Sequence, residues 1–398
     1  MSNNIDLFIL EGKDYVMGLK QGSTFQTQIK QLYEELTSSE EFLASKPFFM
    51  PKFLYRKLTR RFSSKMIKEP LKRHFPSQWS FLKGLSVGAD LGIDKLLFLQ
   101  AIDAIGTQIS NYRIKEDLSF SFNNCSAVGI KKEKSDTEGV LIIKNWDGPE
   151  FLANYTIFRN IESLETKKFQ NVGSGVVGLV GINNGMNERG LSIVYNYAYP
   201  KEIGKRGVPS MILIRKALET CTTVEETFQL FKKYPRIGGA NIMVGDREGD
   251  LAVLEIGPSN IEIRRGDFDG ISSFLICTNH YLSPKMRDLE VSRKAVYDDN
   301  AAEAFRSKPV HESSLMRYRD AYNILTDKSP EKLSLKFLNK EIQCSHGPDN
   351  NPSEYTFCNH GKPISTGFGV MIDIGHGQFY ATIGNPCKGK MEQLIEFY

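Results

Sequence analysis

The sequence predicts a layered α+β fold with largely antiparallel sheets. Two observations predict it. The first part of the chain carries apolar residues at helical spacing, with Glu, Lys and Gln between them. From Cys125 onward, short β-rich runs alternate with Gly, Asn and Asp turns, and helical stretches interrupt them. The order is helices, strands, helices, strands, which does not suit a parallel βαβ series.

In chain order, Tyr15 to Leu36 and Trp79 to Ile105 read as helical. Within SVGADLGIDKLLFLQAI, one helix stops at Gly92 and another opens with Asp94 as its cap. Strands are expected in GVLIIKNWDG, GVVGLVGINNG, GLSIVYNYA, ANIMVGDREGDLAVLEI, SSFLICTNH and GFGVMIDIGHGQFYATIG. GDREGD is a hairpin turn between two of them. Helices are expected at Pro209 to Leu218, Val224 to Tyr234 and Ser314 to Leu325. The sequence carries no internal repeat and no low-complexity linker.

Bulk composition narrows the class. With 398 residues, 40% of them hydrophobic, the chain can bury a large core as one big domain or two ordinary ones. A charged fraction of 25% argues against global disorder. A net charge of +4 is weak for this length and gives no argument for nucleic acid. The N-terminal apolar run is too short for a signal peptide, and no stretch approaches a membrane span, so a cytoplasmic protein is expected. The six cysteines (125, 221, 277, 344, 358, 387) are scattered, as free thiols would be.

One stretch departs from the average. Lys52 to Arg73 holds nine Lys or Arg against the single acid Glu69. It reads either as a solvated helical face or as a patch for an anionic membrane or the phosphates of an acyl-CoA. Its apolar residues Phe53, Leu54, Leu58, Phe62, Met66 and Ile67 recur every few positions, as on the greasy face of an amphipathic helix.

Several motifs bear chemically useful groups. Cys125, in SFNNCSAVGI, stands before a β-prone run and is either a small buried thiol or a nucleophile. KNWDG brings Lys144, Asn145 and Asp147 to one turn. GINNGMNERGLSIVYN is a glycine-rich turn leading to a strand that ends on Asn196. CTNHYL puts Asn279 and His280 at another strand end, and SSLMRYRD opens a helix carrying Arg317. Plainer readings stand beside these: strand-end turn residues for the two asparagines, a turn cap for Asp147, a surface charge for Arg317. CSHG and CNHG place Cys344, His346, Cys358 and His360 in two C-x-H pairs. That is not a common zinc spacing, so no metal is expected.

Taken together, NCSAVG, KNWD, GINNGMNERGLSIVYN, ANIMVGDREGDLAVLEI, CTNHYL, SLMRYRD and IGNPC resemble the acyl-coenzyme A:6-aminopenicillanic acid acyltransferase family of N-terminal nucleophile (Ntn) hydrolases. YVMGLKQG and FLKGLSVGADLGI resemble its N-terminal helical segment, and the bile-salt and linear-amide hydrolases are more distantly similar. The resemblance implies a four-layer αββα sandwich and self-cleavage between Asn124 and Cys125. Residues 1–124 would form a small helical chain and 125–398 a catalytic core with Cys125 at its N-terminus. It implies a cysteine amidohydrolase or acyltransferase acting on linear amides or acyl thioesters without a cofactor. An acyl-CoA-dependent N-acyltransferase and a non-catalytic binding protein on the same fold are the alternatives, and self-association is left open.

By the same resemblance, Asn196 and Asn279 would be oxyanion donors, Asp147 would hold the new α-ammonium, and Arg317 would close the site. Lys144 and Asn241 would occupy polar, substrate-binding positions. Two departures stand out. Lys144 replaces an arginine of the related hydrolases, which loses the planar fork. Asn124 replaces the glycine that precedes the acyltransferase nucleophile, which should slow the acyl shift.

Overall fold

The computed structural model describes residues 5–44, 46–101, 124–165, 167–202, 204–267, 270–299, 301 and 303–398. The strands are β1 (Leu7–Gly12), β2 (Ser126–Ile130), β3 (Leu141–Pro149), β4 (Thr156–Ser163), β5 (Asn171–Val176), β6 (Asn184–Asn187) and β7 (Ser192–Tyr197). They continue with β8 (Ala240–Gly245), β9 (Leu251–Ile256), β10 (Ile261–Arg264), β11 (Phe274–Cys277), β12 (Ile364–Asp373), β13 (Gln378–Ile383) and β14 (Glu392–Glu396). Eight form one sheet in the order β1-β4-β5-β6-β7-β8-β9-β10, and six form another in the order β11-β2-β3-β12-β13-β14. β1 runs parallel to β4, and the other pairings among the described strands are antiparallel. The expected α+β class with antiparallel sheets therefore holds.

β3 shows how the sequence builds the core. Successive strand residues face opposite sides. Ile142 and Trp146 enter an apolar core shared with Val172, Val194 and Met243 of the other sheet, while Leu141 and Ile143 pack with Ala321 and Leu325 of the Glu312–Asp327 helix. Both faces are buried, so its first half reads as a continuous apolar run, Leu141 to Ile143, and its second half buries the polar Lys144, Asn145 and Asp147. A third and larger core lies between the N-terminal helices, the Ser210–Thr220 and Val224–Lys233 helices, and side chains of the eight-stranded sheet such as Ile193, Tyr195 and Ile242.

The N-terminal segment is mostly helical as expected, but it opens with strand β1. Helix Asp14–Thr24 packs on helix Pro76–Gly88 through glycines: a Cβ added at Gly22 would lie 2.6 Å from the Leu85 carbonyl, and one at Gly18 would overlap the Phe81 carbonyl. The short YVMGLKQG and FLKGLSVG motifs are thus a close backbone approach. Helix Ile93–Gln100 starts at Gly92, and Asp94 lies inside its first turn instead of capping it. The expected end of that helix, at Ile105, lies outside the described residues.

Lys52–His74 is one helix, but its apolar residues do not share a face. Met66 and Ile67 are buried in the core, whereas Phe53 is 73% exposed and Leu54 and Leu58 are also exposed. The expected single greasy stripe is divided because the inner part of the helix must cover the domain. No helix among the described residues is long and apolar enough to cross a membrane.

Buried polar contacts tie the N-terminal segment to the rest. Asp14 is buried against Lys168 at 2.7 Å and Arg215 at 3.4 Å. Arg215 also pairs with Glu219, which accepts from Gln78. Burial raises the Asp14 pKa, but Arg215 and Lys168 outweigh it and hold the carboxyl below its ordinary value. Asp14→Ala leaves two buried cations without this partner and should cost about 3 kcal/mol in denaturant unfolding near neutral pH. A change under about 0.5 kcal/mol would show that the network contributes little.

Candidate functional site

Cys125 sits immediately before β2 and is fully buried. Antiparallel pairing places Lys144 of β3 and Cys277 of β11 on either side of Ala127. From the other sheet, β7 brings Asn196 across: its Nδ2 donates to the Cys125 carbonyl at 3.1 Å and to the Cys277 carbonyl at 2.6 Å. The Asn196 Oδ1 accepts from Lys144 Nζ at 2.6 Å. The Lys144 ammonium also acts electrostatically on the Cys125 thiol.

The Glu312–Asp327 helix supplies the second arm. Arg317 is fully buried and fans out from its stem. Nη1 donates to the Cys125 carbonyl at 2.8 Å and to Ser126 Oγ at 2.5 Å, Nη2 donates to Asn279 Oδ1 at 2.8 Å, and Nε donates to Ser313 Oγ at 3.2 Å. Asn279 in turn donates from Nδ2 to the Tyr197 carbonyl, and its backbone N–H donates to Ser314 Oγ. A planar guanidinium holds this fork in a way that a lysine ammonium could not.

Asp147 stands opposite Thr366 of β12, whose hydroxyl donates to Asp147 Oδ1 at 2.7 Å. The Asp147 carbonyl accepts from the Asn124 N–H at 3.4 Å. Six sequence-selected residues (Cys125, Lys144, Asp147, Asn196, Asn279 and Arg317) therefore share one buried cluster with Asn124 at its edge. Asn241 plays a different part from the expected one. Its Nδ2 donates to the carbonyls of Thr278 and His280, which braces the loop carrying Asn279 and leaves no amide hydrogen for a substrate.

The cluster is buried, and its electrostatics follow from that. Burial pushes the Asp147 carboxyl up to about 7, against the pull of Arg317, Thr366 and Lys144. Burial also pushes the Cys125 thiol up, and Lys144 works in the opposite direction. The ammonium of Lys144 and the guanidinium of Arg317 are both lowered by burial. His280 is buried with its Nδ1 against Ser314 and Thr278 hydroxyls, and burial holds its pKa well below the ordinary range.

A carboxyl with a raised folded pKa is more protonated in the folded than in the unfolded chain. Its stabilising contribution is full below the unfolded value of 3.8 and is lost as pH rises through about 7. Asp147→Asn should remove this dependence, flattening the fall in stability over that window by up to about 1.4 kcal/mol per pH unit. Unfolding midpoints of both proteins across the window test it, and parallel curves would contradict it.

Sequence reading missed the supporting hydroxyls and amides. Ser126 and Ser313 hold Arg317, Ser314 holds the Asn279 backbone, and Thr366 holds Asp147. Ser126 and the Ser313-Ser314 pair lay within the quoted motifs, whereas Thr366 carried no signal of its own. The structure also groups the C-x-H residues differently from the sequence reading: His346, Cys358 and His360 converge with Cys387, and Cys344 is not one of the four.

The model of the family described as acyl-coenzyme A:6-aminopenicillanic acid acyl-transferase matches residues 132–360. The chain belongs to this family. The match begins seven residues after Cys125 and takes in Lys144, Asp147, Asn196, Asn279 and Arg317. A curated relative is the 40 kDa form of the acyl-coenzyme A:6-aminopenicillanic-acid-acyltransferase of Emericella nidulans, 23% identical over 54% of this chain and 55% of its own. The chain thus spans about half the length of that relative. Among solved structures, a Caenorhabditis elegans ortholog of N-acylethanolamine-hydrolyzing acid amidase gives a TM-score of 0.42 at 17% identity, covering 63% of this chain and 93% of that one. A conjugated bile acid hydrolase of Clostridium perfringens gives 0.40 at 15% identity, covering 68% and 96%.

Proposed function

We propose that this family member is a self-processing cysteine amidohydrolase or acyltransferase with the four-layer αββα order of Ntn hydrolases. The observation that carries the reading is the buried cluster in which Asn196 and Arg317 both hold the Cys125 carbonyl while Lys144 donates to Asn196. A thiol with no exposed surface is out of reach of a dissolved substrate. Opening the chain before Cys125 cuts the link that holds Asn124 beside the thiol.

In processing, the Cys125 thiol attacks the Asn124 carbonyl, and the C–N bond breaks as the acyl group moves from nitrogen to sulfur. Water then cleaves the thioester, giving an Asn124 carboxylate and a free Cys125 thiol and α-amine. That amine has an ordinary pKa near 8 and serves as general base for its own thiol. Asp147 holds the ammonium form. In turnover the thiolate attacks an amide or acyl thioester and Asn279 stabilises the tetrahedral oxyanion, while Asn196, its amide committed to the Cys125 and Cys277 carbonyls, positions the nucleophile. The tetrahedral intermediate expels the amine or thiol, which takes a proton from the α-ammonium, and water or an amine then takes the acyl group from sulfur. Residues 1–124 stay bound through Asp14, Gln21 and Gln78, which are buried against the core.

A pocket beside Asn124 is lined by Tyr297, Phe305, Val310 and Ile364, with Lys308 and Glu354 paired at 2.6 Å. Its apolar wall suits an acyl chain. The exposed Phe48, Phe49 and Phe53 near the Lys52–His74 cations suit delivery from an anionic membrane or as an acyl-CoA.

The test is product analysis with a fatty N-acyl amide, alone and beside an acyl-CoA plus a free amine. Release of free fatty acid from the amide supports the hydrolase reading, and an acylated amine supports the transferase. Salt-sensitive binding to anionic vesicles supports the delivery surface. Processed protein that yields neither product and leaves Cys125 unlabelled by iodoacetamide would favour a binding protein instead.

A further inference from the structure

Beyond the Cys125 cluster, two soft thiols and two imidazoles converge from separate parts of the chain. His346 follows the Leu338–Gln343 π-helix, Cys358 and His360 precede β12, and Cys387 follows β13. His346 Nε2 lies 3.2 Å from His360 Nε2, and Cys358 Sγ lies 3.6 Å from Cys387 Sγ. His360 Nε2 is 3.5 Å from Cys358 Sγ and 3.3 Å from Cys387 Sγ. The four ligand atoms all lie within 4.8 Å of one another.

These separations can be compared with a metal polyhedron. Tetrahedral zinc, with bonds of about 2.3 Å to sulfur and about 2.05 Å to nitrogen, needs ligand edges of about 3.8 Å for S–S, 3.5 Å for S–N and 3.3 Å for N–N. Each of the four measured edges falls within about 0.3 Å of its counterpart. Hydrogen bonding explains the grouping poorly, because thiols are weak donors and weak acceptors. The surroundings are those of ligand support. His346 Nδ1 faces Asn350 Oδ1 at 3.3 Å, and Asn385 Nδ2 donates to Cys358 Sγ at 3.8 Å and to the Asn359 carbonyl at 2.8 Å.

We propose that His346, Cys358, His360 and Cys387 form a closed tetrahedral Zn²⁺ site that staples the 344–360 loop to the segment after β13. Thiolate and imidazole donors select zinc over the oxygen-seeking magnesium or calcium. Four protein ligands leave no open position, so the site is structural. Binding releases the two thiol protons as the thiolates form. Asn359 lies between two ligands, and its backbone N–H donates to Thr366 Oγ1, the same hydroxyl that donates to Asp147. Zinc would therefore also brace Asp147; this consequence rests on the functional reading above, whereas the metal site does not.

The full-length chain, purified under a non-thiol reductant without chelator, should carry about one zinc per molecule by elemental mass spectrometry. Exchange for Co²⁺ should give the visible bands of a tetrahedral site and a thiolate charge-transfer band. Cys387→Ser should lose that pattern and Cys344→Ser should keep it. Stripping the metal should lower the apparent melting temperature by roughly 5 °C. Trace zinc together with no cobalt spectrum in the reduced wild type would overturn the proposal, and this outcome needs no variant to fold. A spectrum unchanged in both Cys358→Ser and Cys387→Ser would overturn it as well. Neither readout depends on enzymatic activity.

Discussion

Cys125→Ala should remain a single polypeptide and show no acyl transfer or hydrolysis above background. The thiol is fully buried and its carbonyl is held by Asn196 and Arg317, so the variant keeps the frame of the site and loses only the sulfur. Removing one small buried atom costs on the order of 1 kcal/mol, too little to unfold a domain of this size. Circular dichroism and a melting curve near wild type would separate lost chemistry from lost folding. A variant that retains even a tenth of wild-type turnover would remove Cys125 from the nucleophile's role.

Asn279→Ala should lower kcat about a hundredfold or more and change KM little. An oxyanion donor acts on charge that develops in the transition state, so its loss falls on turnover. The side chain is set for this by two contacts: Arg317 donates to its Oδ1 at 2.8 Å, and its Nδ2 donates to the Tyr197 carbonyl at 2.9 Å. Raised KM with near-normal kcat would make Asn279 a substrate-binding residue instead.

Much of the fold was legible because local pattern and burial agree. GDREGD joins β8 to β9 as a hairpin, and SSLMRYRD opens the helix that carries Arg317. Local pattern cannot reveal which distant segments meet. The strand at Leu7–Gly12 was not read, and its parallel pairing with β4 links residues far apart in sequence. Thr366 reaches Asp147 across 219 positions, and nothing near either residue announces the bond. The two C-x-H pairs were seen, but Cys387, 27 positions beyond His360, completes the group through the return of β12 and β13. The direction of Asn241 was likewise invisible, since its strand position is compatible with a substrate role and only the neighbouring carbonyls decide otherwise. Lys144 was legible as a cation at a polar position, but its contact with Asn196 depends on how the two sheets face each other.

The central claim is that Cys125 becomes a chain terminus and works as an N-terminal nucleophile. Intact-mass spectrometry of active wild-type protein under denaturing conditions, with Edman sequencing of the separated species, tests it most directly. The expected result is two polypeptides, the larger beginning Cys125-Ser126-Ala127, that stay together until denaturant is added. A fully active preparation in which the Asn124–Cys125 bond is intact would contradict the account, as would cleavage at that bond in Cys125→Ala.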